Sequence, residues 1–201
     1  MWGVHDIYNK GAIANVQEAK EVYPGWICRF YIDEKSPVLT TLQKLECEVI
    51  PMKLENSWIP LYWRFYAASD PDTEYALFRD CDSRVNTREA AAVAEWVKSG
   101  KNVHLMKDWP APHATETILA GMWGIKGGVV TNMKELIREW ISHDNVNNKY
   151  TDQDFLRKKL WPMIKDNVLN HGVNSPSGEA IPFPPHAPMK QGEYVGQPIQ
   201  V

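Results

Sequence analysis

A chain of 201 residues has the length of one domain, with room for a small appendage. It can bury a core that needs neither a disulfide nor a metal to fold. Hydrophobic residues at 44% and charged residues at 23% exclude a disordered or fibrous class, and a net charge of −3 without a basic cluster argues against nucleic acid as a partner. No apolar run reaches the roughly 20 residues of a membrane span, and no signal peptide is read at the start. Cys28, Cys47 and Cys81, an odd count at unrelated spacings, fit a reducing compartment, so a cytoplasmic location is expected.

In chain order, Trp2 to His5 reads as a first strand and Asp6 to Gly11 as a polar turn. Ala12, Ile13, Val16, Ala19 and Tyr23 then recur at helical spacing up to Pro24-Gly25. Trp26 to Ile32 is rich in β-formers. Ser36-Pro37 has the order of an N-cap and an N1 proline, with Val38, Leu42 and Leu45 on one face behind it, and Cys47 to Met52 is a short strand. Leu61 to Ala68 is an aromatic-rich helix and Tyr75 to Phe78 a strand. Asn86 and Glu89 have capping-box spacing for a helix over Thr87 to Ser99, closed by Gly100. Val103 to Met106 and the segment Ile118 to Ile125 follow, then helices over Asn132 to Ser142 and Thr151 to Asp166. Six of the fourteen prolines fall in the last 26 residues, which predicts an extended tail that wraps rather than folds alone. This alternation predicts an α/β fold with helices on both faces of a sheet, and puts chemistry at the strand ends.

Asp80-Cys81-Asp82, directly after the Tyr75 to Phe78 strand, is the strongest candidate. Two carboxylates one residue apart can converge on a hard cation that bridges the phosphates of a nucleotide. A solvated acidic turn, with Asp82 capping the next helix, is the competing reading. Thr151 and Asp154 have capping-box spacing, which leaves Asp152 and Gln153 to hydrogen-bond a sugar hydroxyl. His171 is placed at the end of the last helix, as a helix-terminal cation or a third metal ligand. Asp108, between Lys107 and Trp109, is a sugar-hydroxyl ligand or an exposed turn. Arg64, in the aromatic helix, stacks or reaches a phosphate. Of nine tryptophans and eight tyrosines, most belong in a core, and some can line a groove for a sugar or a base.

Together these residues resemble the nucleotide-sugar glycosyltransferases of the GT-A fold, and most closely a small family encoded by chlorella viruses and some bacteria. The runs that carry the likeness are Tyr23 to Trp26, Trp63 to Phe65, Arg79 to Glu89, Glu95-Trp96 and Ala120 to Gly124, within residues 1 to 172. The resemblance implies a single GT-A domain (a nucleotide-diphospho-sugar transferase domain with a mixed central sheet) over residues 1–174, with 175–201 as a proline-rich extension packed on it. It implies a hexose moved from a UDP-sugar donor to a glycan acceptor with Mn²⁺ or Mg²⁺. Tyr8 and Asn9 would contact the nucleoside, Arg64 the diphosphate, and Asp80 and Asp82 the metal, with Asp80 also near the ribose. Asp108 and the Gly121 backbone would face the donor sugar, Asp152 and Gln153 the anomeric carbon, and His171 would complete the metal shell. Where such enzymes carry a glycine and a lysine three and six residues after the ligand histidine, this chain has Asn174 and Ser177. Lys107 and Trp109 stand where the family usually has arginine and histidine.

The expected activity is therefore metal-dependent hexosyl transfer, by a monomer or a part of a larger transferase, in a host cytoplasm if virus-encoded. Retention of configuration is expected, because the order of parts resembles the retaining GT-A enzymes that transfer galactose or glucose from UDP, and no acidic residue stands out as a dedicated base near Asp108 or Asp152. The alternatives are a phosphatase or phosphotransferase using Asp80 as nucleophile and Asp82 as acid/base, against which Arg84 two residues on argues, and a non-catalytic carbohydrate-binding module.

Overall fold

The computed structural model describes residues 1–55, 58–108, 112–143, 146, 148–188 and 192–199. In chain order the elements are α1 (Asp6–Val22), β1 (Arg29–Asp33), α2 (Leu39–Gln43), β2 (Glu48–Met52), α3 (Pro60–Trp63), which continues as a 3₁₀ segment Arg64–Ser69, β3 (Tyr75–Arg79) and α4 (Thr87–Ser99). Then come β4 (Val103–Lys107), α5 (Pro112–Thr115), β5 (Met122–Lys126), α6 (Met133–Ser142) and α7 (Thr151–Phe155). A π-helical stretch, Leu156–Leu160, joins α7 to α8 (Trp161–Ile164), and β6 (Val168–Gly172) follows.

Four strands form a mixed sheet in the order β3-β5-β4-β6. β5 runs antiparallel to both of its neighbours, and β4 pairs with β6 in parallel. β1 and β2 make a separate parallel pair. All five residues of β4 are buried, as a strand covered on both faces requires, although two of them are His104 and Lys107. One face packs on α3 and its 3₁₀ extension, α6 and the α7–α8 run, through Phe65, Phe78, Trp123, Ile137, Phe155 and Leu160. The other packs on α4 through Ala92, Val93 and Trp96, with Met106 and Met122 from the sheet. A third cluster, Ala12, Val16, Ile32 and Leu42, joins α1 to the β1–β2 pair.

The C-terminal tail completes the α4 side. Val195 is fully buried there, and Phe183 lies over the His171 ring and under the Arg88 guanidinium. The Ile199 amide donates to the Asp82 carbonyl at 2.8 Å, so the tail reaches the strand-end turn.

Several local expectations meet stronger tertiary partners. Trp2 to His5 form no strand; only Met1 pairs with β1, its nitrogen donating to Tyr31 O (2.5 Å) and its carbonyl accepting from Asp33 N (2.9 Å). Gly3, at φ +79°, then turns the chain into α1, which starts at Asp6 and absorbs the polar turn read over residues 6 to 11. Ser36 makes no side-chain cap, and α2 begins at Leu39. The last helix stops at Ile164, leaving Val168 to Gly172 free to pair with the open edge of β4. The α4 assignment holds from end to end: Asn86 accepts from the Glu89 amide at 3.0 Å, and Gly100 closes the helix at φ +69°. The Glu89 carboxylate, however, does not return to the cap. It accepts from Tyr23 OH at 2.8 Å and Arg79 Nε at 3.2 Å, fixing the β3 end to α4.

His104 and His171 are fully buried side by side, with His104 Nε2 2.9 Å from His171 Nδ1. Burial is the main cause that lowers the proton affinity of both, and the neighbouring His171 and Arg79 lower that of His104 further. A depressed folded-state pKa contributes stability above the unfolded value, near 6.5, that is lost as pH falls below it. The unfolding free energy should therefore drop between pH 7 and pH 5 by up to about 1.4 kcal/mol per pH unit for each histidine. Urea unfolding at pH 5, 6 and 7 checks this, and His104→Gln should flatten the profile.

Candidate active site

The turn after β3 opens into a cleft of about 1840 Å³ whose walls include α1, the residues after α5 and the start of α7. Its centre is a charge relay across three elements. Arg64 donates through Nη1 to Asp80 Oδ1 and through Nη2 to Asp152 Oδ2, the latter at 3.1 Å. Burial works against the Arg64 charge, but the two carboxylates outweigh it and hold the guanidinium firmly cationic. Asp152 is 3% exposed. Burial pushes its carboxyl above the usual range, while Arg64 and the Gln153 amide (N to Oδ1, 2.9 Å) oppose that rise.

α7 is aimed at Arg64 by a buried contact that the sequence does not announce. Thr151 is no cap: its hydroxyl sits 2.5 Å from Tyr62 OH, which also accepts from Trp140 Nε1 at 3.1 Å. Asp154 pairs instead with Arg157 and Lys158 at the surface.

The Asp80–Asp82 turn is held from both sides. Asn15 of α1 donates to Ser83 O at 2.9 Å, and Arg84 Nη1 donates to the carbonyls of Cys81 and Ser83. A Cβ on Gly121 would stand 2.5 Å from Asp80 Cγ, so the absence of a side chain there lets the carboxylate lie against the backbone. A Cβ on Gly11 would overlap the Cys81 carbonyl, a backbone group that cannot swing away. Gly11→Ala should therefore cost about 1–3 kcal/mol in overpacking, read as a fall in thermal midpoint.

Asp82 lies beside Asp80, and its carboxyl is pushed up first by burial and then by the charge of Asp80. The Tyr8 hydroxyl across the cleft is raised first by burial and then by the charges of Asp82 and Asp80. Two crowded carboxylates are a hard-oxygen donor set with charge to neutralise, which suits a divalent cation with water or phosphate oxygens completing its shell.

The structure thus brings Tyr8, Arg64, Asp80, Asp82, Gly121, Asp152 and Gln153 to one cleft. It does not bring three others there. Asn9 is buried within α1, because residues 8 and 9 are helical and their side chains diverge by about 100°. Asp108 turns to the α4 side, where it pairs with Arg88 Nη1 (3.1 Å) and accepts from Val195 N (3.0 Å). His171 lies in β6, at the sheet edge opposite β3, three strand spacings or about 14 Å away. Among the described residues no three His, Cys, Asp or Glu side chains gather as a metal site. Trp109 and Pro110 of the loop after β4 lie outside the described residues. The tryptophans divide as composition allows: Trp63, Trp96 and Trp123 are core, while Trp2, Trp26 and Trp58 line the cleft.

No family model matches the sequence, and no curated protein matches it. The structure does find a counterpart. It is similar to the crystal structure of a glycosyltransferase involved in the glycosylation of the major capsid of PBCV-1, with a TM-score of 0.53 over 86% of this chain and 79% of that one. The chain has the fold of a glycosyltransferase. At 12% identity the likeness is one of architecture, and it matches the GT-A arrangement that the sequence resemblance implied. In this glycosyltransferase fold no described helix is long and apolar enough to cross a membrane.

Glu116 is the cleft residue that sequence reasoning missed. It accepts from Gln153 Nε2 at 3.3 Å, while Gln153 Oε1 accepts from Ala120 N at 2.5 Å. A single glutamate between two threonines carries no motif, and only the approach of α7 to the β5 entry gives it a role.

Proposed function

We propose that the protein transfers a hexose from a UDP-sugar to a glycan acceptor, with Mn²⁺ or Mg²⁺ held by Asp80 and Asp82. The observation that carries this reading is the Asp80–Arg64–Asp152 relay at a strand end, with Asp82 beside it, in a glycosyltransferase fold. When bound, the cation supplies charge neutralisation to the departing diphosphate. Arg64 adds a fixed, planar donor for a phosphate oxygen, within a site that needs little reorganisation. Tyr8 and the cleft tryptophans offer flat surfaces to the base and the sugars. Asp152, buried and paired, places negative charge where positive charge develops on the sugar ring.

Asp80 already bonds Arg64, which suits charge compensation better than the nucleophile of a phosphatase. Calorimetric titration of UDP with and without Mn²⁺ is the test. Binding that requires the metal is expected; binding of free sugars with no response to UDP would instead mark a carbohydrate-binding module.

A further inference from the structure

We propose that Glu116 is the general base of this reaction, taking the proton of the acceptor hydroxyl, and that the transfer accordingly inverts the anomeric configuration; this rests on the reading of the cleft as a glycosyl-transfer site. The expectation of retention rested on a likeness to retaining enzymes and on the lack of a recognisable spare carboxylate near Asp108 or Asp152. The fold supplies one, 36 positions earlier in the chain.

Glu116 lies just after α5, half-buried in the cleft wall. Its partner is fixed from behind. The Ala120 amide occupies Gln153 Oε1, so the side-chain amide can only present Nε2 to Glu116. Gln153 follows Asp152, whose carboxylate holds Arg64, which holds Asp80. Glu116 therefore stands one side chain beyond the relay, on the cleft side of α7.

The other cleft carboxylates have other roles, Asp82 as half of the proposed metal pair with Asp80. Asp80 and Asp152 pair with Arg64, Asp154 with Arg157 and Lys158, and Glu48 with Arg29. Asp72 and Glu74 line the cleft at the opposite end of β3. Pairing with a cation makes a carboxylate a poorer proton acceptor; Glu116 feels the charge of Lys107, but its hydrogen bond comes from a neutral amide, which orients it and leaves lone pairs for a substrate hydroxyl. This is the environment a general base needs.

The step balances. The acceptor O–H proton passes to the Glu116 carboxylate as the acceptor oxygen bonds to the anomeric carbon. The bond from that carbon to the diphosphate oxygen breaks, and its electron pair leaves with the diphosphate, whose charge Arg64 helps to meet. Glu116 then releases its proton to water. Gln153 is a positioning residue in this scheme, not a group at the anomeric carbon.

The experiment follows hydrolysis of UDP-α-D-glucose, UDP-α-D-galactose and UDP-α-N-acetylglucosamine by the wild-type protein with Mn²⁺, water serving as acceptor. Proton NMR reads the first-formed anomer, and the β-sugar is expected. Glu116→Gln should lower turnover by about 10²–10³-fold while UDP affinity and melting temperature stay near wild type. Gln153→Ala should lower turnover less, again without weakening UDP. An α-sugar formed first, or wild-type turnover by Glu116→Gln, overturns the Glu116 assignment and leaves glycosyl transfer standing. A wild-type protein that neither binds UDP with Mn²⁺ nor hydrolyses any of the three sugars overturns both. An α-anomer from wild type overturns the proposal even if Glu116→Gln fails to fold.

Discussion

Arg64→Met should lower the unfolding free energy by about 3 kcal/mol, the lower end of the range for breaking a buried ion pair. Methionine keeps most of the volume but leaves Asp152, 3% exposed, without its cation. Asp80 contributes less to this loss, because its side chain is about half exposed and water can replace the guanidinium. The pH dependence identifies the cause. With Arg64 gone, the Asp152 carboxyl rises further above its ordinary value. A raised folded-state pKa on an acid contributes stability that is fully present below the unfolded value and lost as pH rises through the folded one. The gap between mutant and wild type should therefore narrow from pH 8 to pH 5. Urea unfolding of both proteins at the two pH values measures it, and a gap independent of pH would assign the loss to packing of the aromatic helix instead.

Asp82→Ala should act in the opposite sense on stability and strongly on binding. Removing one of two crowded carboxylates relieves repulsion, so the melting temperature should hold or rise. Metal-dependent UDP affinity should fall by more than about 10²-fold, beyond what loss of a residue merely supporting a ligand costs. Calorimetry with UDP and Mn²⁺, beside a melting curve, checks both halves. Unchanged affinity in a folded mutant would remove Asp82 from the metal site.

Most of the fold was legible because its signals are local. The aromatic helix, β3 and α4 follow from ring-rich spacing, a short apolar run and an Asn86 cap, each satisfied within a few residues. The failures share a cause. Trp2 to His5 reads as a strand by composition, yet a strand needs a partner along its length and only Met1 has one. Val168 to Gly172 carries a polar pair, Asn170-His171, and becomes a strand because β4 offers it an open parallel edge. The sequence placed His171 at a helix end, as a helix-terminal cation or a third metal ligand; β6 puts it against His104 and Phe183.

The α/β class, the carboxylate pair at a strand end and the cation in the aromatic helix before it follow from the order of residues alone. Adjacency in the chain suffices for these, since Asp80 and Asp82 stay neighbours in any fold that ends a strand at Arg79. Tertiary structure alone decided which distant groups join them. Asp152 comes to Arg64 because Thr151 docks on Tyr62, and Asp108 is drawn away by Arg88 and the C-terminal tail. Glu116 enters the cleft because Ala120 orients the Gln153 amide towards it. Asp152 and Asp108 are buried and Glu116 half-buried, each satisfied by a partner 20 to 90 positions away, and the free energy of leaving such a group unpaired, not any local propensity, fixes where it goes.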